Sequence, residues 1–388
     1  MKTIIPLAIL FIVCHSFSAK AAYRDWDNTT AFMLAAASDC SYKAMGRKKE
    51  EDKVEVLNCL IAVTKHAPDT LKALSGLKVE AVETFNDCDG NSNGKGINAA
   101  ILVEITEGAI IAFRGTLPPS IINLSNPDNF LHSYEYVSKS ASDWANDAKL
   151  IDFGQLLKGT LYPNGRHTGF DEALQAMRMR ITQNTNIWQQ FAKQSGKTLY
   201  ITGHSKGGAL AQGAAVDFSK DFKGNIITYT FEAPRFFTAK GKADSQELTG
   251  HIWRFEYQYD PVPQVPLGKV TNDALLSIVD KLKLPETLSK LLVNNNINFV
   301  PVGKLMFVGD DGKPVEQPDQ KDRFFYAKRL TAIYQKVHDT DVKKRVTFLA
   351  EQHGNYFSFL ETQATGHTNP PTAGKSVTEA KKWADSCR

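Results

Sequence analysis

The strongest alternation of apolar and polar positions lies near the middle of the chain. Phe170, Leu174, Met177, Ile181, Trp188 and Phe191 recur at helical spacing through 169–194, which predicts one long amphipathic helix ending near Gly196. The short β-branched or aromatic runs VEAVETF, NAAILVEI, GAIIAFRG, LYIT, NIITYTF and HIWRFEYQ predict strands, and Gly108 between the second and third predicts a hairpin. From Thr30 to about Lys65 the pattern is helical through Phe32, Leu34, Leu57, Leu60 and Val63, interrupted by GRKKEEDK as a solvated loop or helix end. Strands alternating with helices predict an α/β protein with a mainly parallel sheet.

The N-terminus departs from this pattern. Lys2, the apolar run Ile4 to Val13 and the small residues Ala19 and Ala21 read as a secretory signal peptide over 1–21; a run of about ten apolar residues is half of what a membrane span requires. No later segment is as apolar, so the mature chain is expected to be soluble, without a transmembrane segment, and secreted. The formal net charge of +4 falls to +2 once Lys2 and Lys20 leave, and the charges are interspersed, which implies no nucleic-acid partner. Cys40, Cys59, Cys88 and Cys387 then remain, an even number suited to two disulfides in an oxidising compartment. Three connectivities are open, with Cys387 favoured as a tie from the tail to the N-terminal part. Asn28-Thr29-Thr30 and Asn123-Leu124-Ser125 are glycosylation acceptor patterns. The loop DCDGNSNGKG resembles the start of a calcium loop but has Ala100 at its twelfth position, so it reads as an Asn/Gly-rich turn and no metal is assigned.

Candidate chemistry starts at Gly203-His204-Ser205-Lys206-Gly207, a G-x-S-x-G pattern. A strand run precedes it and a helix of small residues follows, the context of a nucleophile elbow, in which a strained turn lifts the serine hydroxyl above the sheet. A serine nucleophile needs a base, and the base an orienting carboxylate, in the chain order acid then histidine. Asp260 follows the strand HIWRFEYQ, and Pro261, Pro263 and Pro266 stiffen its loop. Of the histidines beyond it, His338 lies in a charged helical surface and His367 in a tail. His353, at a glycine-marked junction before Tyr356 and Phe357, is the preferred base, with His367 as the alternative.

With these residues in place the chain resembles the class 3 lipases, the α/β-hydrolase family of fungal triacylglycerol lipases and related phospholipases and esterases, from about Phe32 to Phe359. AFRGT, DWANDAKL, RHTGFDEAL, TFEAPRFF and DPVPQVP resemble family motifs in order, with Glu232 where glycine is usual. The resemblance implies an α/β-hydrolase fold, with a mostly parallel central sheet, helices on both faces and lid-like insertions, in one domain over 22–388. It implies Ser205 as nucleophile, Asp260 as acid, His353 as base, and Thr116 with the backbone N–H of Lys206 as the oxyanion hole. Arg114 is expected to serve structure, and the Lys206 side chain to reach solvent.

Two insertions stand out. Residues 117–142 carry Ile121, Ile122, Leu124, Phe130 and Leu131, either a lid that meets a lipid interface or an ordinary packed segment. Residues 271–295 carry a second apolar set, read as two short helices or an acyl-chain groove. The expected function is a secreted serine ester hydrolase cleaving lipid acyl esters at an interface, without metal or organic cofactor. A phospholipase or non-lipid carboxylesterase with the same triad stays open, as does a non-catalytic lipid-binding fold.

Overall fold

The structure, a computed structural model, describes residues 27–44, 49–66, 79–86, 98–106, 108–115, 165–184, 186–194, 196–242, 251–266, 268–271, 273–274, 298–317, 323–337, 348 and 352–353. The signal segment, Thr116, the insertion 117–142, most of the second insertion, the Asn/Gly-rich loop, Cys88, His338, His367 and Cys387 lie outside the described residues.

The chain begins with α1 (Asn28–Cys40) and α2 (Lys49–His66), then strands β1 (Val79–Asn86), β2 (Ala99–Ile105) and β3 (Gly108–Phe113). Helices α3 (Thr168–Asn184) and α4 (Asn186–Phe191) lead to β4 (Thr198–His204) and α5 (Lys206–Phe218). Next come β5 (Asn225–Phe231), β6 (Phe237–Thr238), α6 (Ala239–Lys242) and β7 (Ile252–Tyr257). Strands β8 (Phe299–Val300), β9 (Lys304–Val308) and β10 (Pro314–Gln317) and helix α7 (Arg323–Val337) complete the elements.

Eight strands form one sheet in the order β1-β2-β3-β4-β5-β7-β9-β10. Strands β3, β4, β5, β7 and β9 run parallel to one another, and β1, β2 and β10 are added at the margins by antiparallel pairing. The expected α/β fold with a mostly parallel sheet is therefore present, as is the hairpin, with Gly108 paired to Ile105. Alternate side chains fill the two faces, as a sheet covered on both sides requires. Ile101, Val103, Ile110, Ala112, Tyr229, Trp253 and Phe255 pack with α1 and α2. Leu102, Ile111, Phe113, Leu199 and Ile201 pack with α3 and α5.

Helix α1 starts where the Asp27 carboxylate accepts the Thr30 N–H at 2.7 Å, satisfying one of its open amides. Its small residues Ala31, Ala35 and Ala37 let it lie close to the sheet, and Cys40 is joined to Cys59 of α2. That bond fixes one of the three possible connectivities and leaves Cys88 and Cys387 as the remaining pair of cysteines.

The stretch expected as a single helix over 169–194 is described as α3 and α4, and residue 185 between them lies outside the described residues. The apolar stripe runs along both: Trp188 meets the ring of Phe218 at 4.7 Å and Phe191 that of Phe222 at 5.1 Å.

Candidate active site

Ser205 sits between the end of β4 and the start of α5 with φ 56° and ψ −130°. A non-glycine residue pays for positive φ, and the surroundings here enforce it. A Cβ on Gly207 would lie 2.0 Å from the Phe113 carbonyl oxygen, and one on Gly203 would lie 2.2 Å from the Gly207 carbonyl carbon. The chain can turn this sharply only because both positions lack a side chain. The Ser205 N–H donates to Phe231 O at 2.9 Å, which ties the turn to β5.

Asp260 follows β7 on a short turn and is fully buried. Its Oδ2 lies 2.7 Å from His353 Nδ1, and its Oδ1 accepts the Val262 N–H at 2.9 Å. Burial pushes the Asp260 carboxyl up, but the charge and hydrogen bond of His353, with further hydrogen bonds from Glu232 and Val262, together hold it below its usual range. Asp260 is thus a carboxylate facing the histidine 93 positions further along the chain. The sequence preference for His353 agrees with this pairing.

His204, inside the motif, bridges the two halves. Tyr42 OH lies 2.9 Å from its Nδ1, and its Nε2 lies 2.8 Å from the His353 carbonyl oxygen. A carbonyl only accepts, so Nε2 carries the proton and Nδ1 accepts from the tyrosine. Burial, helped by the proximity of His353, lowers His204 to about 3, so it stays neutral. Its ring lies 4.6 Å from that of His353. The backbone of the candidate base is therefore fastened to the residue next to the candidate nucleophile.

Gly115, at the end of β3, closes on the same point: a Cβ there would lie 3.2 Å from Ser205 Cβ and 2.6 Å from the His204 carbonyl oxygen. The next residue, Thr116, lies outside the described residues. Lys206 opens α5, where the first amides of a helix point out of its N-terminal end. Its side chain departs from expectation: Lys206 is only 3% exposed and does not reach solvent, because all thirteen residues of α5 are buried. Arg114 is buried and donates to the Ala44 carbonyl at 2.7 Å, tying β3 to the segment after α1. No cluster of histidine, cysteine, aspartate or glutamate suited to a metal occurs among the described residues.

Residues 111–270 match the family model described as lipase (class 3). Over that segment, about two fifths of its length, the chain is similar to the class 3 lipases. A secreted mono- and diacylglycerol lipase of Fusarium solani is 33% identical over 119 residues, covering 30% of this chain and 34% of that protein, so the match spans about a third of the relative's length. Among solved structures, a triacylglyceride lipase of Rhizomucor miehei is similar at 16% identity over 87% of this chain and 96% of that one, with a TM-score of 0.42. A lipase of Rhizopus microsporus var. chinensis is similar at 16% identity over 72% and 73%, with a TM-score of 0.36.

Two of the motifs that resemble the class 3 lipases serve to position the others. Arg166 of RHTGFDEAL makes a bidentate pair with Asp217 of α5 at 2.6 and 3.1 Å and reaches Asp171 at 3.0 Å, joining α3 to α5. Arg235 of TFEAPRFF donates to Thr271 Oγ1 at 2.5 Å and to the Pro266 carbonyl at 3.2 Å, bracing the proline loop after Asp260.

Two site residues were missed by sequence reasoning. Arg329 of α7 donates to the carbonyls of Tyr257 at 2.7 Å and Asp260 at 3.1 Å and pairs with Glu256 at 2.5 Å. Nothing in RFFYAKRL distinguishes it from a solvated helix cation. Glu232 is the other, and its signal was available: it stands where the family pattern has glycine, and here it has φ 50°.

Proposed function

We propose that this protein is a secreted serine carboxylic-ester hydrolase that cleaves lipid acyl esters through an acyl-enzyme, as a single domain after a cleaved signal segment. The observation that carries the reading is the 2.7 Å contact of His353 Nδ1 with the Asp260 carboxylate, beside a serine held at positive φ on the adjoining elbow. The Asp260 carboxylate accepts a hydrogen bond from Nδ1–H, so the other ring nitrogen of His353 is left as the base. His353 takes the Ser205 proton as the oxygen attacks the ester carbonyl, then returns it to the departing alcohol. It next activates water, which releases the acid and regenerates the serine. The backbone N–H groups of Lys206 and Thr116 receive the negative oxygen of the tetrahedral intermediate, with the Thr116 hydroxyl as a further donor.

Support for a lipid ester comes from the family and from the Fusarium solani relative, whose name specifies mono- and diacylglycerol. The test is a panel of triolein, tributyrin, phosphatidylcholine and soluble short esters, with a serine-directed phosphonate probe alongside. Labelling at Ser205 and turnover of acylglycerols are expected. Turnover of phosphatidylcholine or of soluble esters alone would replace the substrate class, and absent labelling would leave only lipid binding.

A further inference from the structure

Behind the candidate acid lies a second buried carboxyl. Glu232 is 2% exposed, at the turn that leaves β5, and its φ of 50° is one that side-chain-bearing residues rarely adopt. Strain of this kind persists only where the surroundings enforce it. Its Oε1 accepts the Tyr257 N–H at 2.6 Å, while its Oε2 is sealed from solvent and meets no donor. The Asp260 carboxyl is its neighbour: the Tyr257 residue whose N–H Glu232 accepts also receives the Asp260 N–H on its carbonyl at 3.3 Å, and the two carboxyls interact.

Two carboxylates are both acceptors, and they form a hydrogen bond only when one of them carries a proton. Asp260 already receives two donors, His353 Nδ1 at 2.7 Å and the Val262 N–H at 2.9 Å, whereas Glu232 receives one. The better-solvated charge therefore belongs on Asp260 and the proton on Glu232.

We propose that Glu232 is a positioning residue of the triad: a neutral carboxylic acid that donates its O–H to the Asp260 carboxylate, so that the pair holds one proton and one negative charge. This rests on the triad reading above. The arrangement gives the carboxylate a third donor besides His353 and Val262 and tempers its basicity, because part of its lone-pair density is committed to the Glu232 proton. Burial and the neighbouring charge of Asp260 act in the same direction and hold the Glu232 carboxyl well above the usual carboxylate range. The other charged groups bearing on it are Arg329, which opposes the effect, and Glu256, which adds to it; Tyr257 contributes its backbone amide, and His353 lies beyond Asp260.

The decisive comparison is between Glu232→Gly and Glu232→Gln, read as kcat/KM against pH. Glycine adopts positive φ freely but removes the donor, so Asp260 becomes a stronger base towards the imidazolium. The acid limb of the profile should then move up by about one pH unit, a loss of about tenfold on that limb. Glutamine keeps both a donor for Asp260 and an acceptor for the Tyr257 N–H, and should return the limb to within about 0.3 unit of the original. A glutamine variant that shifts like the glycine variant, or a glycine variant whose profile overlays the parent, overturns the proposal. Carbon-13 NMR of Ser205→Ala protein labelled at the glutamate carboxyls gives an answer that needs no turnover. A carboxylic-acid resonance at neutral pH that vanishes in Ser205→Ala/Glu232→Gln is expected, and complete ionisation of the glutamates at that pH overturns the assignment. If the parent protein hydrolyses none of the esters, the triad reading fails while this resonance still decides the state of Glu232.

Discussion

The two halves of the site are built in different ways. The half around Ser205, the proposed nucleophile, is made of backbone: strand, turn and helix are contiguous from Thr198 to Phe218, and glycine positions that tolerate no Cβ force Ser205 into place. The half around Asp260 and His353, the proposed acid and base, is made of side chains drawn from distant parts of the chain, with Arg329 holding the Asp260 carbonyl, His204 the His353 carbonyl, and Tyr42 in turn holding His204. A backbone device is rigid and unforgiving of added volume. A side-chain device is adjustable, and it can be dismantled one hydrogen bond at a time.

The largest expected effects test the chemistry that the halves share. Ser205→Ala should lower kcat by about 10⁶ and Asp260→Asn by about 10⁴ in single-turnover ester hydrolysis, while circular dichroism stays that of the parent. Equal losses would contradict the division into nucleophile and orienting acid.

The next pair separates the two constructions by stability. Gly207→Ala should cost about 3 kcal/mol in urea unfolding, because its Cβ would meet the Phe113 carbonyl oxygen at 2.0 Å and backbone cannot step aside. Arg329→Met leaves Glu256 with one partner fewer and the Tyr257 and Asp260 carbonyls without their donor, and should cost about 3 to 5 kcal/mol. Its kcat should fall with the stability, since the same arginine holds the loop of Asp260.

A pH measurement addresses the bridge between the halves. His204 is held at about 3 in the folded protein against 6.5 for the free side chain. The unfolded chain therefore takes up the proton first, and this contribution to stability is lost as pH falls from about 6.5 towards 3. Melting temperature should decline less steeply over that window in His204→Gln than in the parent, and parallel curves would contradict a buried neutral histidine. The smallest effect is that of Tyr42→Phe, which deletes one hydrogen bond to His204 Nδ1 and should cost about 1 kcal/mol of stability.

This contrast also explains what could be read from the sequence. Features that are local in the chain were visible: the alternating strands, the hairpin at Gly108, and the elbow with its glycines. The contact of Asp260 with His353 agrees with the order read from the sequence, an acid followed by a histidine, whatever the loops between them do. What escaped was long-range or set by crowding. Lys206 looks like a surface residue until α5 is seen to have no exposed face, and Arg329 lies 69 positions from the Asp260 carbonyl it braces.

The burial of α5 along its whole length has a consequence for how this protein can diverge. A helix packed on every side offers no position where a change of volume goes unnoticed, since interiors pack as densely as organic crystals. Thirteen consecutive residues that begin beside Ser205 are thus closed to neutral drift, and a new substrate preference has to be acquired from elements outside that helix. The helix that follows Ser205 works as a fixed reference, against which the rest of the molecule is free to vary.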